Sequence, residues 1–359
     1  MLQMLHQDFS EKTEPNDFEK MSIEDKRFLK LMDEEVKSSD GHYELPLPLK
    51  NPDVKVPNNR IQAVKRARSL NRKLQKDEKM YSDYCTFMNK LFEKSYARKI
   101  SDETNDGKPW YLPNHGVYHP KKPDKIRVVF DCSATYGGMS LNSMLLQGPD
   151  LTNQIVGVLS RFREEQIALV ADIESIFYQV RVPIEQQDML RFIWWPEGNL
   201  DAEPEDYVMC VHLFGGTHSP STCNYALRKT AIDNESKFGK EAASTLIRNF
   251  YFDDMLKGGS TVKKSVSVYH NTKGMCGAGG FNLTQFMSNS REVLDKIPKH
   301  EEAKGIKDIN LSVQSLPIER ELGVSWCVET DSFSFRIVLK DTLTLRVNGV
   351  CLVKLELLH

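Results

Sequence analysis

An α+β fold with a mainly antiparallel sheet is predicted by three features of this 359-residue sequence. Short β-branched runs recur beyond Trp110, helical stretches separate them, and the polar, turn-rich segment 197–206 lies between two runs as an exposed loop. The runs are 126–130, 167–170, 178–182, 191–195 and 207–213; the helical stretches are 151–162, 220–232 and 262–275. Before Trp110 the texture is helical, and charge is sorted by sign.

In chain order, the first forty residues read as weakly ordered or helical, with an acidic excess over 8–44. Pro46, Pro48, Pro52 and Pro57 then predict an extended linker. Asn58 or Asn59 is placed to cap a helix carrying Ile61, Val64, Leu70 and Leu74 at near-helical spacing. A second amphipathic helix carries Tyr81, Tyr84, Phe87, Met88, Leu91 and Phe92. Across 55–99 the many lysines and arginines face only Asp77, Glu78, Asp83 and Glu93. Such a block suits a polyanion; a solvated helix face is the alternative.

Composition sets outer limits. With 40% hydrophobic and 27% charged residues and no apolar run approaching a membrane span, a soluble globular chain is expected. Acids at Asp8, Glu11 and Glu14 leave no secretory pattern at the start. The seven cysteines are odd in number and form no Cys-x-x-Cys pair, which points to reduced thiols inside a cell.

The chemistry is concentrated in carboxylates. Tyr251-Phe252-Asp253-Asp254 sets two adjacent acids between the apolar run 245–250 and Met255-Leu256, the pattern of a tight hairpin with both acids at its tip. Adjacent acids repel, so a rigid presentation implies a cation; a solvated turn is the alternative. Asp172 ends an apolar strand, where a buried carboxylate needs a partner. Three converging carboxylates meet the requirement for two divalent ions about 3.5–4 Å apart, with Mg²⁺ the natural choice for hard oxygen ligands. Glu174, two residues beyond Asp172, is expected to solvate or cap the next turn, and Asp131 to be a strand-end hydrogen-bonding residue.

Ordered motifs now carry a resemblance. Asp40-Gly-His-Tyr-Glu44, Trp110-Tyr-Leu-Pro-Asn-His115, Lys125-Ile-Arg-Val-Val-Phe-Asp131, Ser140-Leu-Asn142, Ala171-Asp-Ile-Glu174, Phe214-Gly-Gly-Thr-His-Ser-Pro220, Tyr251-Phe-Asp-Asp254 and Leu322-Gly-Val-Ser-Trp326 occur in that order. The chain resembles the reverse transcriptases of LTR retrotransposons, most closely the BEL/Pao group, over about residues 22–340. The resemblance implies a right-hand polymerase with fingers, an antiparallel palm sheet, a helical N-terminal extension and a truncated thumb. The expected domains are an acidic extension and Pro-rich linker over 1–57, a basic helical segment over 58–109, fingers and palm over 110–340, and an aberrant C-terminus over 341–359.

The resemblance also assigns roles. Asp172, Asp253 and Asp254 would be the catalytic carboxylates, and the Ile173 carbonyl a further ligand for two Mg²⁺ (or Mn²⁺) ions. Arg127 with Lys121 or Lys122 would meet the nucleotide's phosphates, while Phe177, Phe214 and Gly215 would line the nucleotide pocket. Phe177 falls at the steric-gate position that excludes a 2′-hydroxyl. Tyr251, Leu322, Gly323 and Trp326 would grip the primer. Phe214 stands where most retroviral relatives have glutamine, and Gln285 near where relatives often carry a basic residue. The implied partners are an RNA or DNA template with a DNA primer, dNTPs and other segments of a retroelement polyprotein, in cytoplasmic particles and away from membranes. Three functions remain open: a reverse transcriptase core, a decayed or co-opted fragment that binds nucleic acid without polymerising, and another palm-type phosphoryl transferase such as a nucleotide cyclase.

Overall fold

Ser22 starts the first helix by accepting the Asp25 N–H, and α1 (Ile23–Glu35) buries Phe28 and Met32. The computed structural model describes residues 21–100, 109–119 and 122–303, with short strands at 308–310, 324–327, 332–335, 346–347 and 350–351. Strands β1 (Lys37–Ser39) and β2 (His42–Glu44) form a hairpin whose Asp40-Gly41 loop has positive φ at both residues, as a two-residue connection favours.

The proline segment expected as a linker is extended but packed. Leu45 and Leu47 are 0% and 1% exposed, and the backbone bonds Arg181 and Leu146 on other segments. Prolines remove donors, yet the amides between them are satisfied across the fold, so 45–48 is core.

Helices α2 (Arg60–Leu74) and α3 (Glu78–Glu93) form as their periodicity predicts. In α2 the buried stripe is Ala63, Ala67, Leu70 and Leu74, whereas Ile61 is 68% exposed because it lies about 200° round the helix from Ala63. Asn59 occupies the cap position without capping. Its buried side chain instead accepts the Tyr111 N–H at 2.7 Å and donates to the Tyr111 carbonyl at 2.8 Å. Asn58 accepts from the Arg60 amide. Both helices share one core with β3 (Ala97–Lys99), β5 (Lys122–Phe130), β7 (Arg191–Trp194) and β8 (Glu205–Met209), and β4 (Asn114–His119) pairs with β5. Tyr84 stacks on Trp194 at 5.2 Å within that core. The loop expected over 197–206 joins β7 to β8, with Gly198 and Leu200 dipping inward, and its last two residues, Glu205 and Asp206, belong to β8.

After the short α4 (Leu141–Met144) and α5 (Ile155–Phe162), β6 (Ile167–Ile173) becomes an inner strand of a four-stranded antiparallel sheet ordered β11-β6-β10-β9. Its partners are β9 (Phe250–Tyr251), β10 (Asp254–Gly259) and β11 (Leu283–Ser288). Helices α6 (Ser219–Phe238), α7 (Lys240–Arg248) and α8 (Val262–Ala278) supply its second core, with Ala226, Leu246, Val268 and Met275 among the buried residues.

Two expected strands are corrected. The stretch 178–182 is a 3₁₀ turn over Ile176–Gln179 followed by single bridges at Arg181, because Ser175 adopts φ 50° and the Gln179 amide closes the turn onto the Glu174 carbonyl. The run 245–250 is helical through Arg248, where Ala242, Ala243, Thr245 and Leu246 face the core at helical spacing. Only Phe250 and Tyr251 form the first hairpin arm.

Contacts divide the chain into Met1–Glu302 and Ala303–His359. The second unit contains a three-stranded antiparallel sheet of β12 (Asp308–Asn310), β13 (Val324–Cys327) and β14 (Ser332–Phe335), and a pair β15 (Arg346–Val347) and β16 (Val350–Cys351). The architecture is α+β with antiparallel sheets, as predicted. Among the described residues no helix is long and apolar enough to cross a membrane, and Cys85, Cys132, Cys210, Cys223 and Cys276 are free thiols.

Candidate active site

Period-two alternation in β6 divides its residues between the two faces of the sheet. Leu169, Ala171 and Ile173 join the helix-covered core, as does Met255 of β10, the register partner of Ala171. Asp172 and its partner Asp254 therefore share the opposite face. Like charges directly opposite one another destabilise a sheet. Asp253 completes the group from the two-residue loop between β9 and β10, in which Phe252 takes φ 55°. A left-handed Phe is costly, and it turns the chain sharply enough to present Asp253 beside Asp254. The Asp253 carbonyl accepts the Ile173 N–H at 2.9 Å, which ties the loop to the end of β6.

Carboxylate oxygens of Asp172, Asp253 and Asp254 all lie within 4.8 Å of one another. Among the described residues no Lys or Arg is within ion-pair distance of any of them. Burial, then the charge of Asp253, pushes Asp172 up to about 7, partly opposed by Lys125. Burial lifts Asp253 to about 6 against a backbone hydrogen bond that favours its charged form. Burial, reinforced by both neighbouring acids, raises Asp254 well above the carboxylate range. Glu174 stays outside the group: Lys94 reaches one oxygen at 2.5 Å, Asn282 the other at 2.9 Å, and the Lys94 bond lowers its pKa.

A second cluster is built from side chains. Phe177, on the turn after β6, lies with its ring 5.8 Å from that of Phe214, and the Arg127 guanidinium sits over Phe214 at 4.9 Å. These three expected nucleotide-site residues come together from β5 and two separate turns. Gly215, the fourth, has φ 100°, which favours glycine. Asn142 fixes this turn, donating to the Gly215 carbonyl and accepting the Thr217 N–H, each at 3.0 Å.

Two residues were not singled out for the contacts they make. Lys125, two positions before Arg127 on β5, is the cation that acts on Asp172, whereas Lys121 lies outside the described residues and Lys122 is placed only as the first residue of β5. Gln285 donates to Asp172 Oδ2 at 3.3 Å from a bulged position in β11 with φ 54°. The spacing Lys125-Ile-Arg127 signals one strand face; nothing local signals the Gln285 contact. Tyr251 is half-buried on β9, and its hydroxyl pKa is raised by burial and by Asp150. Leu322 and Gly323 lie outside the described residues, and Trp326 is paired with Ile309 and Phe333 in the second unit.

Asp131 behaves as its position predicts, accepting the Ser133 N–H and pairing with Arg66. No protein-family model and no curated protein matches the chain. Among solved structures it is similar to a foamy viral protease-reverse transcriptase determined in complex with double-stranded DNA, at 16% identity and a TM-score of 0.39. The match covers 54% of this chain and 28% of that one.

Proposed function

We propose that this chain is the core of an RNA-directed DNA polymerase, extending a DNA primer on an RNA or DNA template from dNTPs. The observation that carries the reading is the register pairing of Asp172 with Asp254 beside Asp253, a group of hard oxygen donors with no protein cation bridging it among the described residues. That donor set fits Mg²⁺ or Mn²⁺. Two such ions would activate the primer 3′-hydroxyl and neutralise charge on the phosphate oxygens.

Asp172 and Asp253 are the principal ligands in this reading, with Asp254 the third carboxylate and the Ile173 carbonyl a further oxygen. The primer 3′-hydroxyl gives its proton to solvent as its oxygen bonds to the α-phosphorus, the bond from that phosphorus to the bridging β-phosphate oxygen breaks, and pyrophosphate leaves with that electron pair. Arg127 pairs with the triphosphate, aided by Lys121 or Lys122, while Phe177 lies beneath the sugar and Phe214 with Gly215 borders the base side. The resemblance gives Tyr251, and separately Leu322, Gly323 and Trp326, a role in seating the primer. Catalysis is then mainly positioning and charge neutralisation. Resemblance to the reverse transcriptases supports these roles, a polyprotein origin, and the fingers and palm boundaries within 110–340.

The test is extension of a labelled DNA primer on an RNA template by the purified chain with Mg²⁺, against Asp253→Asn. Metal-dependent extension that the variant lacks is expected. Salt-sensitive binding without extension would replace this reading with a nucleic-acid-binding fragment.

A further inference from the structure

Five of the six cations of α2 fall into two groups, Lys73 standing apart in the last turn. Arg60 and Arg66 serve the fold: Arg60 forks onto Asp206 at 2.8–3.1 Å, and Arg66 pairs with Asp131 at 3.6 Å. Lys65, Arg68 and Arg72 are exposed, and among the described residues none has a carboxylate within ion-pair distance. With Asn71 these three line an open cavity of about 520 Å³. Asn71 itself is pinned, donating to the Leu200 carbonyl at 2.8 Å.

Positions 65, 68 and 72 occupy one helix face, so the row contains like-charge neighbours at i,i+3 and i,i+4, and each pair disfavours the helix. No acid stands in the first turn to relieve them. The helix dipole accounts for Arg72 and Lys73 in the last turn but not for Lys65 and Arg68 in the middle. An ordinary solvated face would intersperse both signs, whereas here the first acid after the row is Asp77, beyond the helix. Along the axis the cations are spaced by about 4.5 and 6 Å, spanning about 10.5 Å. Each strand of double-helical DNA offers a phosphate about every 3.4 Å of axis, and a strand off the duplex spaces them further apart only as it is stretched. The row is thus long enough to meet three phosphates of one strand.

We propose that Lys65, Arg68 and Arg72 form a docking site for the phosphodiester backbone of a single nucleic-acid strand. The choice of nucleic acid as the anion rests on the proposed function; the site itself rests on α2. It adds a backbone contact to those expected around the carboxylates and carries no sequence preference.

Binding of a fluorescent single-stranded oligonucleotide to the full chain, titrated across salt concentration, tests it. Each phosphate neutralised on a single strand contributes about 0.7 to the log–log salt slope. The variant Lys65→Gln/Arg68→Gln/Arg72→Gln should therefore lower the slope by about 2, and Arg68→Gln alone by about 0.7. A control, Lys237→Gln/Lys240→Gln/Lys263→Gln, removes the same charge from exposed positions elsewhere and should leave the slope unchanged. Equal losses in both triple variants, no loss in the first, or no binding by the parent chain would each overturn the site. Thermal melts of all variants confirm that folded chains are compared. Primer extension is read separately, so extension with an unchanged slope removes the site and keeps the polymerase. A reduced slope without extension does the reverse.

Discussion

The carboxylate centre and the aromatic–arginine cluster are built in opposite ways. Asp172 and Asp254 face one another because backbone register places them there, and Asp253 follows from a two-residue loop. Phe177, Phe214 and Arg127 meet only through side chains carried on a 3₁₀ turn, a glycine-rich turn and an edge hairpin. The first arrangement concentrates unfavourable charge on a rigid ladder; the second gains modest ring and cation–π energy on less regular backbone. Backbone register thus sets one pair of repelling carboxylates face to face, while the two attracting rings are carried on turns.

This contrast can be broken from either side. The largest expected effect is on the ladder: Asp172→Asn should cut metal-dependent extension by about 10³-fold while leaving the fold intact. Retained extension in that variant would remove the ladder from the chemistry.

Next in size is pH. Asp172 and Asp253 have pKa values raised to about 7 and about 6, and that of Asp254 is raised as well. A carboxyl whose folded pKa lies above its unfolded value near 4 favours the fold while protonated in the native state, and that stability is lost as pH rises through the folded pKa. Without divalent ions, stability and Tm should therefore fall as pH rises from about 4 to 8. Mg²⁺ or Asp254→Asn should each restore much of it at pH 8. A Tm flat across that range would show that the charges are relieved by some other means.

The cluster should respond more gently. Phe177→Ala is expected to raise ribonucleotide use relative to deoxynucleotide by at least about tenfold, equivalent to about 1.4 kcal/mol. An unchanged ratio would withdraw the sugar-gate role. Smallest is Phe214→Leu, which removes the ring under Arg127 and with it about 0.5–1 kcal/mol. That predicts a two- to fivefold higher KM for dNTP with kcat unchanged; a fall in kcat alone would place Phe214 in the chemistry rather than in holding Arg127.

Much of the carboxylate centre was legible in the residues, since an apolar run ending at Asp172 and an acid pair between apolar neighbours are local signals. The length of the hairpin was not. Residues 245–248 carry the same apolar character in either state, and only packing of Ala242, Ala243 and Leu246 against the second core makes that arm a helix. Likewise 178–182 has strand composition, but the turn closed by Gln179 precedes it and only isolated bridges form. Prolines at 46, 48, 52 and 57 signalled extension correctly, while the burial of Leu45 and Leu47 depended on segments about a hundred residues or more away. Gln285 was noticed for its position in a resemblance, and its bond to Asp172 arises from a bulge that no local pattern announces.

By itself the sequence determined the α+β class, helices α2 and α3, the charge-sorted N-terminal region and the identity of the three aspartates, because these follow from periodicity and from residue chemistry. Tertiary structure alone decided that Asp172 stands opposite Asp254, that Phe214 lies under Arg127, that Lys125 is the cation acting on Asp172, and which of the α2 cations are free. Register, ring contacts and ion pairing join residues far apart in the chain, and they exist only once long-range packing has chosen which faces meet.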